Sequence, residues 1–244
     1  VYSVMDKTMI GWITHSNVQN GYYEQSITIV RFLLTFVTSL GTVMIPRIGY
    51  CYEKGETQRI IAYMKRSYSF VWFLGLPMFL GLISVADIVV PWFLGAAFVK
   101  AVPIVKVLAF LFLAVGINNV TGMQFLITTK RQNLFTITVI IGAISNFVLN
   151  SLLIPRFMAL GAALGSIIAE SIIAIVQLFC VRKELNLKIV FSPGSWKYFL
   201  ASFLMCIFIR YIRIDCKKNF LFVSALIVSG VLIYFLCLLL MREN

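Results

Sequence analysis

"GYYEQSITIVRFLLTFVTSLGTVMIPRIGY", residues 21–50, runs from Gly21 to Pro46 without a helix breaker and is apolar almost throughout. A helix that crosses a bilayer needs about 20 predominantly apolar residues, and this stretch supplies them. Within it Glu24, Thr28, Arg31, Thr35, Thr38 and Thr42 recur at spacings of four, three, four, three and four. That is the helical period, so all six share one face. Ile27, Val30, Phe32, Leu33 and Leu34 lie off that face and read as lipid-facing. An ionised side chain near the bilayer centre costs about 2.5–3.5 kcal/mol on insertion scales, so it normally meets a cavity or a partner. The stripe therefore predicts a polar wall with Arg31 deep in a cavity, or a Glu24–Arg31 pair that only joins helices.

The rest of the chain extends the pattern. Of 244 residues, 61% are hydrophobic and 12% charged. Soluble domains carry about 25% charged residues. The net charge of +12 does not indicate nucleic acid, because Lys and Arg sit mainly in short gaps between apolar runs. Five cysteines lack metal or CxxC spacing, and His15 is the single histidine, so neither a zinc site nor histidine-based catalysis is indicated. No glycine-rich phosphate loop and no acid pair at catalytic spacing is present, and an enzyme is not expected.

Eight apolar segments emerge, at about 1–14, 22–45, 67–90, 103–128, 134–154, 159–181, 196–214 and 219–241. The fold class is therefore an all-α integral membrane protein with about eight transmembrane helices. The first segment is too short to cross and reads as the outer part of a helix whose start is missing. With the gap at 15–21 outside, 12 of the 21 Lys and Arg fall inside, six outside and three (Lys7, Arg31, Lys106) within spans, which favours that orientation. The basic stretch 210–218 pulls against it. Residues 53–66 carry Ile60, Ile61 and Met64 beside Arg59, Lys65 and Arg66, and read as an amphipathic linker on the inner leaflet or a solvated connection.

Other polar residues lie within spans. Asp6 and Lys7 point about 100° apart on a helix, so one of them should meet Glu24 or Arg31 on the next span. Asn118, Asn119, Gln124, Asn146, Asn150, Ser166, Glu170 and Gln177 read as interhelical hydrogen-bonding groups or as cavity lining, and Glu170 must find a cation or titrate. Gly161 and Gly165 form a small-residue face for close helix packing, and Gly75, Pro77 and Gly81 should bend their helix.

Three stretches together carry a family resemblance. "MDKTMIGW" through "PRIGYCYEKGE", with Asp6–Lys7, Gly21–Tyr22–Tyr23, Gly41 and Pro46–Arg47, resembles the start of the second half of bacterial oligosaccharide-lipid flippases of the multidrug/oligosaccharidyl-lipid/polysaccharide exporter superfamily. "SNFVLNSLLIPRFMALGAALGSIIAE" is similar to that superfamily's helix hairpin, with Asn146, Asn150 and Pro155, and "LITTKRQN" to the basic turn before it. The resemblance implies the second lobe (1–181, with the linker 53–66), an inner loop (182–195) and two extra helices (196–244) of a two-lobed transporter, with Val1 inside its seventh helix and the N-terminal half missing. The implied activity is moving undecaprenyl-diphosphate-linked repeat units across the bacterial cytoplasmic membrane by alternating access, for O-antigen, capsule or another surface polysaccharide. On this reading Arg31, Lys7 and Lys106 bind the diphosphate, and the tail stays in membrane lipid. Thr28, Thr35, Thr38, Thr42, Asn118, Asn146 and Asn150 line the cavity for sugars. Asp6, Glu24 or Glu170 carries a coupling proton or Na⁺ or makes a charge pair, with no other cofactor and no nucleic-acid partner. A multidrug exporter of the same superfamily, or a fragment that does not transport, are the alternatives.

Overall fold

The computed structural model describes residues 2–191, 194–212 and 220–241. All regular structure among them is helical. The short helix α1 (Tyr2–Thr14) ends at His15, which takes a left-handed backbone conformation (φ 49°). Ser16 then caps α2 (Asn17–Glu53) by accepting from the Gln19 amide. The chain turns at Gly55 (φ 70°) into α3 (Thr57–Leu94). Here the expectation for 53–66 needs correcting, since Thr57 opens one continuous helix that runs to Leu94. Its apolar side chains Ile60 and Met64 are buried in the bundle core, so that face packs on protein instead of a leaflet.

A short 3₁₀ turn leads into α4 (Val102–Leu108) and α5 (Leu111–Asn118), which passes into a π-helical segment, Asn119–Ile127. The two apolar halves of this stretch, Ala96–Leu108 and Leu111–Ile127, meet at a bend of 41°. The hairpin of α6 (Gln132–Phe157) and α7 (Ala159–Val181) follows, then α8 (Ser195–Ile212) and α9 (Phe220–Leu240). Six helices are long and apolar enough to cross a membrane, or seven if the bent pair counts as a span. With the short α1, each expected segment has its helix, and the protein is a multi-pass membrane protein. Arg213, Lys217 and Lys218 of the basic stretch, and Arg242, lie outside the described residues.

Close packing follows the small residues. A Cβ on Gly161 would overlap the Leu153 carbonyl, and one on Gly165 would overlap Asn150 Oδ1. The α6–α7 hairpin therefore approaches as the small-residue face predicts. One large core joins α1–α7, while α8 and α9 form a smaller one with Val85 and Ile88 of α3. Pro77 has no N–H to return to the Phe73 carbonyl one turn earlier. Tyr234 of α9 supplies the missing donor, 2.6 Å from that oxygen.

The long helix α2 presents three faces. Tyr23, Ile27, Val30, Val37, Gly41, Met44 and Ile48 are buried against the bundle. Ile27 and Val30 therefore do not face lipid as expected, although Phe32 is exposed. Lipid and protein interior are both apolar, so hydrophobicity alone does not separate the two sides. The polar stripe forms the second face and Phe32, Phe36 and Val43 the third, both turned away from the packed side.

Candidate functional site

Asp6 is 1% exposed, deep among α1, α2, α6 and α7. Tyr23 Oη donates to its Oδ2 at 2.5 Å and Ser166 Oγ to the same oxygen at 2.8 Å. Asn150 Nδ2 donates to Oδ1 at 2.6 Å. Asn146 Oδ1 receives the same Asn150 amide group at 3.2 Å and closes the ring. Three donors from three helices thus hold the carboxylate. Hydrogen bonds alone make burial of a carboxylate tolerable at considerable cost, and such groups commonly serve a function. Asn150 Oδ1 is buried without any partner. The cradle therefore offers several oxygen atoms, one of them unused, around one negative charge. Hard oxygen donors of this kind suit a proton or a small hard cation and not a thiophilic metal.

The cradle exists because Gly165 has no side chain. Any Cβ there would displace the Asn150 amide that reaches Asp6. Asn146 and Asn150, expected to meet sugars, are wholly buried and occupied within this ring. Asn118 is likewise 9% exposed, with its amide on Glu170. These three side chains belong to the interior because α6, α5 and α7 close over them, so they do not line an open wall.

The exposed polar face is separate. Lys7 points away from Asp6 and pairs with Glu24, the contact between the first two helices that their sequence led us to expect. Both side chains remain over a third exposed, at 36% and 40%. Arg31, Thr28, Thr35 and Thr42 are exposed on the same face, and Thr38 is half-buried. Thr28, Thr35 and Thr42 donate their hydroxyls to carbonyls of their own helix, at 2.8, 2.6 and 2.8 Å. Back-bonding uses the hydrogen and leaves lone pairs outward, so the stripe accepts hydrogen bonds better than it gives them.

Lys106 does not join this face. It lies on α4 with Nζ at 2.7 and 2.9 Å from the two carboxylate oxygens of Asp87 on α3, and its charge is satisfied there. Asp87 itself escaped the sequence reading; its signal was an acid inside an otherwise apolar span with a basic residue in the next. Tyr23 was noticed only as part of a helix opening, and nothing local marked it as a ligand of Asp6.

Beside the polar stripe runs an apolar groove of about 770 Å³ between α2, α3, α8 and α9. Gln25 and Thr28 stand at one wall; Phe73, Pro77, Met205 and Tyr234 are among the residues of the others. The groove passes Pro77, beside the Tyr234–Phe73 hydrogen bond.

The fold defines a multi-pass helical membrane protein with a polar stripe set beside an apolar groove. The chain superposes on the solved lipid II flippase MurJ in its inward closed conformation with a TM-score of 0.80 and 18% identity, over all of this chain and 52% of that one. Residues 1–103 match the protein family described as polysaccharide biosynthesis protein. Two curated relatives are each 23% identical. An uncharacterized membrane protein of Methanocaldococcus jannaschii aligns over 76% of this chain and 36% of its own length. The "Probable low-salt glycan biosynthesis flippase Agl15" of Haloferax volcanii aligns over 80% and 41%. The chain thus spans about two fifths of the curated relatives it matches.

Proposed function

We propose that this chain is one lobe of a flippase for lipid-linked oligosaccharides, completed by a facing lobe that supplies the other wall of the cavity. The observation that carries this reading is the meeting of two surfaces. A polar stripe on α2 with Arg31 exposed in it, and Lys7 of α1 beside it, adjoins an apolar groove large enough for an alkyl or prenyl chain. A lipid-linked sugar has the same two halves, a charged and hydroxylated head and a hydrocarbon tail. Arg31 and Lys7 meet the diphosphate, since paired cations satisfy phosphoryl oxygens that lipid cannot. The outward lone pairs of Thr28, Thr35, Thr38 and Thr42 accept from sugar hydroxyls. The tail lies in the groove against Phe73, Met205 and Tyr234.

Asp6 is the coupling-cation site on this reading, through its oxygen cradle and the vacant Asn150 acceptor. Binding a proton or Na⁺ there joins α1, α2, α6 and α7, and release loosens them. The names of the relatives support the class of substrate and argue for transport over enzymatic chemistry. The assignment to undecaprenyl-diphosphate repeat units, and to O-antigen or capsule in a bacterial cytoplasmic membrane, extends this reading. The test is flipping of a fluorescent polyprenyl-diphosphate oligosaccharide by the intact transporter in liposomes. Movement of this substrate with Arg31→Ala reduced at least tenfold supports the reading; equal transport of a neutral lipid, or no effect of Arg31→Ala, overturns it.

A further inference from the structure

The helix that carries the polar stripe also supplies one wall of the apolar groove. It turns Gln25, Thr28, Ile29 and Phe32 toward the groove, the i, i+3, i+4 and i+7 positions of one helix face. The stripe occupies Glu24, Thr28, Arg31 and Thr35, so Thr28 belongs to both surfaces and marks where they meet. Gln25 stands one turn from Thr28, on the groove side of that boundary. The groove is long, since Phe73 and Phe93 both line it, roughly 30 Å apart along α3.

Three of the side chains lining the groove carry a hydrogen-bond donor, those of Gln25, Thr28 and Tyr234, and none is charged. Two of the three donors are spent within the protein. The Thr28 hydroxyl donates to the Glu24 carbonyl at 2.8 Å, and that of Tyr234 to the Phe73 carbonyl at 2.6 Å. Gln25 is half-buried and makes no hydrogen bond among the described residues. A primary amide that meets only hydrocarbon is costly, because neither lipid tails nor apolar side chains replace the water it has left. The groove therefore suits an occupant that is hydrocarbon along most of its length and carries an acceptor at one point. That point lies where the groove passes into the stripe.

We infer that Gln25 binds the phosphoester at which a single prenyl chain joins its phosphate, and so fixes how far the tail slides along the groove. Gln25 Nε2 donates to the tail-side phosphate; Arg31, one turn beyond Thr28, takes the sugar-side phosphate. The inference deepens the flippase reading and rests on it for the occupant of the groove. It adds a specificity. A hydrogen bond to an ionised phosphate is stronger than one to a neutral hydroxyl, so polyprenol is held less well. A diacyl phospholipid has its ester carbonyls spread over two chains and is not held in this register.

Native mass spectrometry of the intact transporter, mixed with equimolar undecaprenyl phosphate, undecaprenol and a diacyl phosphatidylglycerol, tests the assignment without transport. Gln25→Met keeps the length of the side chain and removes its donors. The expected result is about a tenfold loss of bound undecaprenyl phosphate, at most about a threefold loss of undecaprenol, and no change in phosphatidylglycerol. The melting temperature of the lipid-free protein should not fall, because the amide has no protein partner to lose. Equal losses of phosphate and alcohol, a parallel loss of phosphatidylglycerol, no loss at all, or a lowered melting temperature overturn the proposal. Should Gln25→Met fail to fold, Gln25→Glu puts a carboxylate of the same size at the site. It should expel undecaprenyl phosphate and keep undecaprenol, and retention of the phosphate overturns the proposal equally. If flipping fails while the phosphate preference holds, the flippase reading alone falls; if the preference is absent while flipping persists, only the Gln25 assignment does.

Discussion

Asp6 and Lys7 are neighbours in the chain, yet their side chains go to opposite regions of the molecule. Asp6 turns inward to a cradle where both of its carboxylate oxygens have donors. Lys7 turns outward to Glu24 on a face left over a third exposed. The inner region is built from four helices and tolerates almost no change in shape. The outer region is built on α2 with Lys7 of α1 beside it, and it satisfies its threonine hydroxyls on its own backbone. Buried polar rings set a unique arrangement, whereas an exposed stripe sets only a chemical character. Substitutions in the first should damage folding and ion response together, and those in the second should damage transport alone.

The largest effect should come from Asp6→Ala. It strands the hydroxyls of Tyr23 and Ser166 and the amide of Asn150, and each buried unsatisfied group costs about 1–3 kcal/mol. Thermal unfolding in detergent should fall steeply. Asp6→Asn should fold but lose any stabilisation by added Na⁺, which for the unaltered protein amounts to about 2.7 kcal/mol at a hundredfold excess over Kd. If Na⁺ stabilises the Asn variant equally, the cradle is structural and the coupling assignment fails. Gly165→Ala comes next. Its methyl group must push Asn150 off Asp6, an overpacking cost of about 1–3 kcal/mol, and the Na⁺ response should disappear with it. A smaller loss, about 1 kcal/mol, follows from Tyr234→Phe, which leaves the Phe73 carbonyl, one turn before Pro77, unpaired. That variant should also weaken retention of a polyprenyl tail in the groove, measured by native mass spectrometry of bound lipid.

The two regions differed as much in legibility. The spans were readable because an apolar stretch has a length requirement, and the stripe because its period lies within one helix. The cradle was not readable as a unit. Asp6 meets Asn150 and Ser166 across most of the chain, and no local pattern encodes that contact. What the sequence did contain was each component: an acid in lipid, two asparagines one turn apart, and a glycine where a side chain would collide. The inward turn of Ile27 and Val30 and the capture of Lys106 by Asp87 were hidden for a related reason. Apolarity marks a membrane helix but not its direction, and a basic residue reveals its partner only once the helices are packed.

The smallest expected effects sharpen the comparison most. Thr35→Val and Thr42→Val remove hydroxyls that are bonded to the helix backbone and exposed. Stability should change by less than about 0.5 kcal/mol, as for other surface substitutions. Each substitution also removes outward lone pairs that accept from a sugar. One hydrogen bond of about 0.5–1.5 kcal/mol corresponds to a two- to tenfold change in binding, so the double variant should slow flipping by several-fold without moving the melting temperature. Lys7→Ala and Arg31→Ala should behave alike but with larger losses, because a charged contact is stronger than a neutral one. The decisive comparison is between readouts within one set of variants. If the threonine variants lower stability as well as transport, the stripe packs against a partner and is no wall of a cavity. If they change neither, the sugars pass elsewhere and only the cations of this face touch the substrate.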